Sequence, residues 1–180
     1  MVSLPPISLP IIDISPYLSE KPGDLAKRSL VSAALHKACV QYGFFYLDIS
    51  SYLDPHEPEE LAALAKAFFS LPEEEKDRIA LRHGDHARGG GLAGTITTSL
   101  SVISHTGYAR LKENVTSGKA DNHEGIDFYK PVSDPDKTKV LWGENQWPDI
   151  PGFRSKYEEW VEKMKKLGLV VMEAYVLHDH

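Results

Sequence analysis

The chain has 180 residues, which is enough for one domain with its own hydrophobic core. Its net charge of −6 argues against nucleic acid as the main partner, because phosphate binding needs clustered Lys and Arg. The single cysteine, Cys39, excludes an intrachain disulfide and a thiolate metal cluster. Cys39 lies in an apolar run, which predicts a buried and unreactive thiol.

The N-terminus carries no targeting signal that we recognise. Residues 1–15 have no basic region, and Pro5, Pro6 and Pro10 interrupt their apolar stretch, unlike a signal peptide. No window reaches the roughly 18 apolar residues of a membrane span. A cytoplasmic protein is therefore the expectation.

Two strands and a helix are predicted in the first 50 residues. The β-branched run 10–14 (PIIDI) predicts a strand, and the aromatic run 44–49 (FFYLDI) predicts a second one that is buried on both faces. Asp24 is the predicted N-cap of a helix that runs to about Gln41, with His36 partly buried beside its apolar face. That face is predicted to comprise Leu25, Leu30, Ala34, Leu35, Ala38 and Cys39.

The rest of the chain predicts three further helices separated by irregular segments. Pro58 opens a helix with an apolar stripe of Leu61, Leu64, Ala65, Phe68 and Phe69. The run 73–80 (EEEKDRIA) predicts a short charged helix with a solvated face. Segment 83–106 is rich in small residues and segment 114–139 is polar and rich in turn-forming residues, so neither predicts a regular element. A long amphipathic helix is predicted from 153 to 177, with a stripe of Phe153, Tyr157, Trp160, Val161, Met164, Leu167, Val171, Met172 and Tyr175.

Six short motifs occur in one order along nearly the whole chain. They are PIIDI (10–14), GFFYL (43–47), FFSLPEEEK (68–76), the divided motif of Arg88-Gly89 and Gly107-Tyr108, the acidic series, and NQWP with PGFR (145–148 and 151–154). The acidic series comprises Glu113, Asp121, Glu124 and Asp127, followed by Phe128. Together these motifs resemble the N-terminal region of the non-haem iron(II), 2-oxoglutarate-dependent dioxygenases of the isopenicillin N synthase type.

The resemblance implies a mixed α/β fold in which two or three helices pack on a small sheet. Residues 1–180 would form the N-terminal domain of that family, without its double-stranded β-helix barrel. Full-length members use iron(II) and 2-oxoglutarate to oxidise small organic substrates. Their iron triad, H-x-D with a later His, and their 2-oxoglutarate Arg have no counterpart in this sequence. We therefore expect no catalytic residue, no metal site and no bound cofactor in this chain.

The same resemblance suggests two residues that would contact substrate. Arg88 would supply a bidentate carboxylate contact, and Tyr108 a rigid polar edge. An alternative of another class is a non-catalytic, truncated paralogue that binds a protein partner. In either case the helix 153–177 would lose the cover of the barrel, which favours aggregation or pairing.

An insert separates the two halves of the Arg-Gly-Tyr motif. It spans residues 90–106 (GGLAGTITTSLSVISHT), and its composition differs from the charged sequence on either side. It is either a retained intron or misplaced exon boundary, which we favour, or a genuine loop of this lineage.

Several other patterns suggest ligand sites but are better explained structurally. His83 and Asp85 have H-x-D spacing in a Gly-rich segment, and the terminal His178-Asp179-His180 does not fit the family pattern. The glycines at 89, 91 and 94 match G-x-G-x-x-G, but no hydrophobic strand precedes them, which excludes a dinucleotide site. The acidic series predicts hydrogen bonds and salt bridges that anchor a loop. Trp142, Trp147 and Trp160 predict core packing.

Overall fold

The computed structural model describes residues 8–19, 24–80, 107–113, 115–134 and 144–176. The helices and strands in chain order are β1 (Ile11–Asp13), α1 (Ser15–Leu18), α2 (Leu25–Gln41), β2 (Tyr46–Asp48), α3 (His56–Phe69), α4 (Glu73–Lys76), a 3₁₀ turn (Asp77–Ile79), β3 (Gly107–Ala109), β4 (Val115–Thr116), β5 (Lys119–Ala120), β6 (Gly125–Asp127) and α5 (Phe153–Val176). The chain divides into two compact units, residues 1–60 with 156–180 (unit 1) and residues 61–155 (unit 2). Within the described residues, no helix has the length and apolarity that crossing a membrane requires.

Unit 1 contains the two strands that the sequence predicts, joined in one small sheet. β1 and β2 pair in parallel, with Ile12 opposite Leu47. Parallel neighbours need a long crossover, and α2 lies in the connection between them. The mixed α/β expectation is confirmed for this part of the chain.

The core of unit 1 forms between the sheet, α2 and α5. Its buried members are Ile12, Ile14, Tyr17, Leu35, Ala38, Leu167 and Ala174. Met164, Val170 and Val171 of α5 pack against this cluster. For Met164, Leu167 and Val171 of the predicted α5 stripe, the expectation of an uncovered surface is therefore wrong, because they pack in the core of unit 1. Val161, Met172 and Tyr175 of the same predicted stripe are 41%, 60% and 44% exposed.

The bounds of α2 agree with the prediction, but its buried face does not. Leu25 and Leu30 are 71% and 72% exposed, Ala34 and His36 are exposed, and Cys39 is only half-buried. Leu35 and Ala38 set the direction of packing, and Leu30 points about 140° away from Leu35 because each helical residue turns by about 100°. Asp24 makes no side-chain capping bond to the helix; its Oδ1 instead accepts from Lys27 Nζ at 3.2 Å.

The prediction that the second strand is buried on both faces is wrong. Phe44 is 72% exposed and Tyr46 is 62% exposed, and their β1 neighbour Ile11 is 74% exposed. β2 has a single paired neighbour among the described residues, and the core covers one side of that pair only. The outward side consequently presents an apolar, partly aromatic surface.

Unit 2 contains short strands that the sequence did not predict. β3 pairs antiparallel with β6, and β4 pairs antiparallel with β5. Ser117 and Gly118 connect β4 to β5 with φ values of 52° and 78°, the positive values that a tight hairpin of the primed type requires. Phe68, Tyr108 and Phe153 form the buried centre of the unit, with the Phe68 ring edge-on to Tyr108 at 5.7 Å. The predicted α3 stripe, to which Phe68 belongs, is confirmed.

A buried hydroxyl joins α2 to the last turns of α5. Ser32 is 2% exposed, and its Oγ donates to the backbone carbonyl of Ala174. We expect Ser32→Ala to lower the free energy of unfolding by about 1–2 kcal/mol, because the buried carbonyl loses its donor. Urea unfolding followed by circular dichroism measures the difference. Ser29→Ala is the matched control: its exposed hydroxyl also donates to a carbonyl, and its removal should change the value by less than about 0.5 kcal/mol. Equal losses in the two variants would contradict the assignment.

Candidate functional site around Tyr108

Tyr108 is the described member of the predicted substrate-contact pair, and it lies in the core of unit 2. It sits in the middle of β3, is 2% exposed, and its hydroxyl donates to Glu124 Oε2 at 2.6 Å. A buried tyrosine needs such a partner for its hydroxyl. Direct substrate contact stays a prediction for Tyr108, and these contacts favour a positioning role. Arg88 lies outside the described residues.

Lys76 places a positive charge beside the same carboxylate. Its Nζ donates to Glu124 Oε2 at 2.6 Å, lies 3.4 Å from the carbonyl oxygen of Phe69, and is 5.2 Å from the centre of the Tyr108 ring. Lys76 is 8% exposed, so the expectation of a solvated face for the run 73–80 is wrong at this position. A charge is tolerated there because a counter-charge and hydrogen-bond acceptors surround it.

The three side chains shift each other's proton affinity in consistent directions. Partial burial acts to raise the pKa of Glu124, but the hydrogen bonds from Lys76 and Tyr108 outweigh it and hold that pKa below its usual value. Partial burial acts to lower the pKa of Lys76, and the bond to Glu124 reverses this and raises it. Burial and the neighbouring carboxylate raise the pKa of Tyr108. At neutral pH the cluster therefore holds one ammonium, one carboxylate and one neutral phenol.

A second ion pair attaches the end of β3 to the 3₁₀ turn. Arg110 Nε donates to Asp77 Oδ1 at 2.6 Å, and a second guanidinium nitrogen contacts the same oxygen. Glu113 Oε2 accepts from the backbone N–H of Arg110 at 2.7 Å. The charged run 73–80 thus contributes Lys76 and Asp77 to contacts with segments far along the chain.

The described residues of unit 2 stop at Ala80 and resume at Gly107, and these two points are paired. Ala80 forms a parallel bridge with Tyr108, and Gln146 Nε2 donates to the Ala80 carbonyl at 3.2 Å. Gly107 has a φ of +117°, and a Cβ there would lie 2.5 Å from the Ile79 carbonyl oxygen and 2.7 Å from Gln146 Nε2. Only glycine fits both the dihedral angle and the space. We call this pairing of Ala80 with residues 107–108 the neck.

The NQWP motif contacts two separate parts of unit 2, residues 128–129 and Ala80, through three adjacent side chains. Asn145 accepts from the backbone N–H of Tyr129 at 2.8 Å and donates to the carbonyl of the same residue at 2.6 Å. Gln146 binds the neck through the Ala80 carbonyl. Trp147 stacks on Phe128 with ring centres 4.1 Å apart, and Arg154 lies 5.5 Å from its ring centre. The predicted packing role is thus observed for Trp147.

The acidic series acts through hydrogen bonds where its contacts are described. Glu124 and Glu113 accept the bonds given above, and the backbone carbonyl of Asp121 accepts from the N–H of Lys112 at 3.0 Å. In the described ranges no group of three or more His, Cys, Asp or Glu is arranged to hold a metal ion, so we assign no step of iron chemistry to them. The other predicted sites, at His83, Asp85, Gly89, Gly91, Gly94, Trp142 and residues 178–180, lie outside the described residues.

Sequence reasoning missed Lys76, Gly107 and Gln146. Lys76 ends the FFSLPEEEK motif, and Gln146 is the variable position of N-x-W-P, so both positions matched the family pattern without indicating a role. Lys76 also lies in a run of acidic residues, which is typical of a solvated helix. Its burial is not visible in the local sequence because its partner, Glu124, lies 48 residues away.

Comparison with known proteins identifies the family. A family model described as the N-terminal region of non-haem dioxygenases, "non-haem dioxygenase in morphine synthesis N-terminal", matches residues 9–150. This chain belongs to that family. It is 34% identical to a homoarginine-6-hydroxylase of Glycine max, over 94% of this chain and 48% of that protein, and 30% identical to a 2-oxoglutarate-dependent dioxygenase of Dothideomycetidae sp., over 90% and 39%.

Solved structures share the fold of this chain. A putative 2OG-Fe(II) oxygenase family protein from Caulobacter crescentus matches with a TM-score of 0.67 at 21% identity, over 95% of this chain and 48% of that one. A full-length Neurospora crassa protein in complex with alpha-KG matches with a TM-score of 0.62 at 20% identity, over 94% and 43%. The chain spans about half the length of the curated relatives it matches.

Glu124→Gln tests whether the carboxylate organises the cluster. We expect the free energy of unfolding at pH 7 to fall by about 2 kcal/mol, since Lys76 loses its counter-charge; the value is discounted because the Glu124 side chain is 29% exposed. The folded-state pKa of Glu124 is lowered, so its contribution is present above 4.5 and is lost as the pH falls through the folded value. The gap between wild type and variant should therefore close below pH 4.5. Urea unfolding across pH 3–7 measures it.

Glu113→Gln is the control for the same chemical change. Glu113 is exposed and its amide replacement still accepts a bond from Arg110, so the loss should stay below about 0.5 kcal/mol. A Glu124→Gln variant as stable as the control at pH 7 would refute the organising role.

Proposed function

We propose that the chain is the N-terminal, substrate-side part of an iron(II)/2-oxoglutarate-dependent oxidoreductase that acts on a small organic molecule. The observation that carries this proposal is the family match over residues 9–150, in a chain that spans about half the length of its relatives. The described residues then serve as a scaffold for the substrate side, and the chain alone is inactive. Iron(II) and 2-oxoglutarate belong to the other half of the complete enzyme.

In this proposal the β3 region presents the substrate-side residues. Arg88 contacts a substrate carboxylate through its planar guanidinium, a geometry suited to two parallel bonds. Tyr108 contributes mainly by holding β3 in place, since its hydroxyl is already bonded to Glu124 and its ring is buried. The neck at Ala80 and Gly107 fixes the two points from which the segment carrying Arg88 extends.

Turnover by the purified 180-residue chain tests the proposal. Succinate formation is measured with iron(II), ascorbate and 2-oxoglutarate, and homoarginine and thymine are the trial substrates. The first is suggested by the named relatives and the second by a Neurospora crassa structure in complex with alpha-KG and thymine. We expect no succinate above the no-enzyme blank. The full-length homoarginine-6-hydroxylase of Glycine max, with homoarginine, is the positive control for the assay. Iron-dependent succinate formation by this chain would overturn its assignment as an inactive part.

A second candidate function is a non-catalytic protein-binding module. The observation in its favour is the outward side of the β1–β2 pair, where Ile11, Phe44 and Tyr46 are 74%, 72% and 62% exposed. Contiguous apolar surface of this kind is typical of protein-interaction sites. The succinate assay also distinguishes the two candidate functions. A fusion of this chain to the second half of a relative is expected to form succinate if the chain is part of an oxygenase, and to form none if it is only a protein-binding module.

The insert 90–106 is proposed to be dispensable for folding. The neck is held by the Ala80–Tyr108 bridge, the Gln146 bond and the Lys76–Glu124–Tyr108 cluster, none of which uses a residue of the insert. We expect deletion of 90–106 to leave unfolding cooperative and to raise its free energy by about 1 kcal/mol, because a roughly threefold shorter connection costs less entropy to close. Thermal and urea unfolding measure this.

A deletion of the same length, residues 92–108, is the matched control. It removes Gly107 and Tyr108, so it should abolish the cooperative transition of unit 2. If the deletion of 90–106 behaves like this control, the insert is an integral part of the fold. Sequencing of transcripts then separates a retained intron from a genuine loop.

A further inference from the structure

The register of β3 and β6 brings two opposite charges next to each other. β3 ends and β6 begins at the pair formed by Ala109 and Gly125. One step further along this antiparallel register, Arg110 lies opposite Glu124. Opposed positions of an antiparallel pair have Cβ atoms about 5 Å apart, which is within reach of a direct ion pair. In the described part of the chain, however, Arg110 and Glu124 are bonded to other residues and not to each other.

Two adjacent residues, Lys76 and Asp77, supply the partners instead. Asp77 Oδ1 accepts from Arg110 Nε at 2.6 Å. Lys76 donates to Glu124 Oε2 at 2.6 Å, and the Tyr108 hydroxyl donates to the same oxygen. The four charged side chains are only 10% to 35% exposed, so both ion pairs are partly shielded from solvent. The ion pairs therefore run between the strands and the preceding segment, and not across the strand pair.

We infer that Asp77 is a positioning residue that keeps Arg110 away from Glu124. The Glu124 carboxylate is thereby left to Lys76 and Tyr108. An arginine fork binds both oxygens of a carboxylate, so Arg110 released from Asp77 would compete with the two donors that share Oε2. This role rests on the proposed function for its meaning in the enzyme, because β3 and Tyr108 belong to the proposed substrate side.

Glu124 is the carboxylate that a released Arg110 is expected to bind. The hydrogen bond to Asp77 raises the pKa of Arg110, and the charges of Glu73 and Glu113 add to this. Both of these glutamates are exposed, so solvent screens their attraction and an ion pair with them gains little. The Glu124 side chain is 29% exposed and lies opposite Arg110 in the register, so an ion pair there is screened less.

Removal of Asp77, alone and together with Arg110, tests this role. Amide hydrogen exchange of the full 180-residue chain at pH 7, followed by NMR, gives protection factors for wild type, Asp77→Asn, Arg110→Gln and the double variant. We expect Asp77→Asn to lower the protection of β3 and β6 about tenfold or more, because Arg110 then takes Glu124 from buried Lys76. Adding Arg110→Gln should restore protection to within about threefold of wild type, since the competitor for Glu124 is gone.

Glu75→Gln is the matched control in the same segment. Glu75 pairs with Arg78 at 2.7 Å, and the two side chains are 41% and 70% exposed. This substitution also removes a carboxylate from an arginine. Arg78 does not lie opposite Glu124 in the strand register, so the protection of β3 and β6 should stay within about twofold of wild type.

The double variant separates positioning from a simple loss of contact. If Asp77 acts only through its own bond to Arg110, the double variant is no better protected than Asp77→Asn, and that result would overturn the inference. Unchanged protection in Asp77→Asn would overturn it too, because Arg110 would then leave Glu124 alone. If Asp77→Asn unfolds the chain, recovery of protected amides in the double variant supports the role, and failure to recover contradicts it. No readout depends on oxygenase activity, so this outcome is independent of whether the proposed function holds.

Discussion

One half-buried carboxylate, that of Glu124, connects three segments of unit 2. It accepts from Lys76 at 2.6 Å and from Tyr108 at 2.6 Å, and so joins α4, β3 and the residue that precedes β6. An ammonium as buried as that of Lys76 is stable only beside a counter-charge, and a buried phenol only beside an acceptor. Neither condition is met unless the three segments come together in this one way. The cluster therefore connects these three segments through one carboxylate.

Side-chain amides bind backbone groups that the short strands of unit 2 leave without a strand partner. β3 and β6 each have three residues, and their neighbours carry backbone groups that need partners. Asn145 bonds both the N–H and the carbonyl of Tyr129, as a strand residue would, and Gln146 bonds the carbonyl of Ala80. Trp147 stacks on Phe128 beside them. Three side chains of a four-residue motif thus contact two different segments, residues 128–129 and Ala80.

The local features of the fold were predictable, and the long-range ones were not. The helices α3 and α5 were predicted to within about two residues at the ends, α3 beginning at His56 and not at Pro58, and their periodicity predicted most of their inner stripes. The face of α2 was misjudged because Leu30 and Leu35 are equally hydrophobic, and only the position of the sheet and α5 decides between them. Lys76 was predicted to be solvated because its partner is 48 residues away. β3 and β6 are too short for alternation to appear.

The residues that identify the family are largely those that fix the backbone. FFSLPEEEK supplies Phe68 and Lys76, the divided motif supplies Gly107 and Tyr108, and NQWP supplies the amides and the stacked indole. Each position is constrained by geometry: glycine by a φ of +117° and a 2.5 Å approach, lysine by its distance to Glu124, asparagine by two opposed backbone bonds. Such constraints act on the backbone and are independent of any substrate. Solved structures only about one-fifth identical to this chain share its fold with a TM-score up to 0.67, and a fold by itself does not identify a substrate.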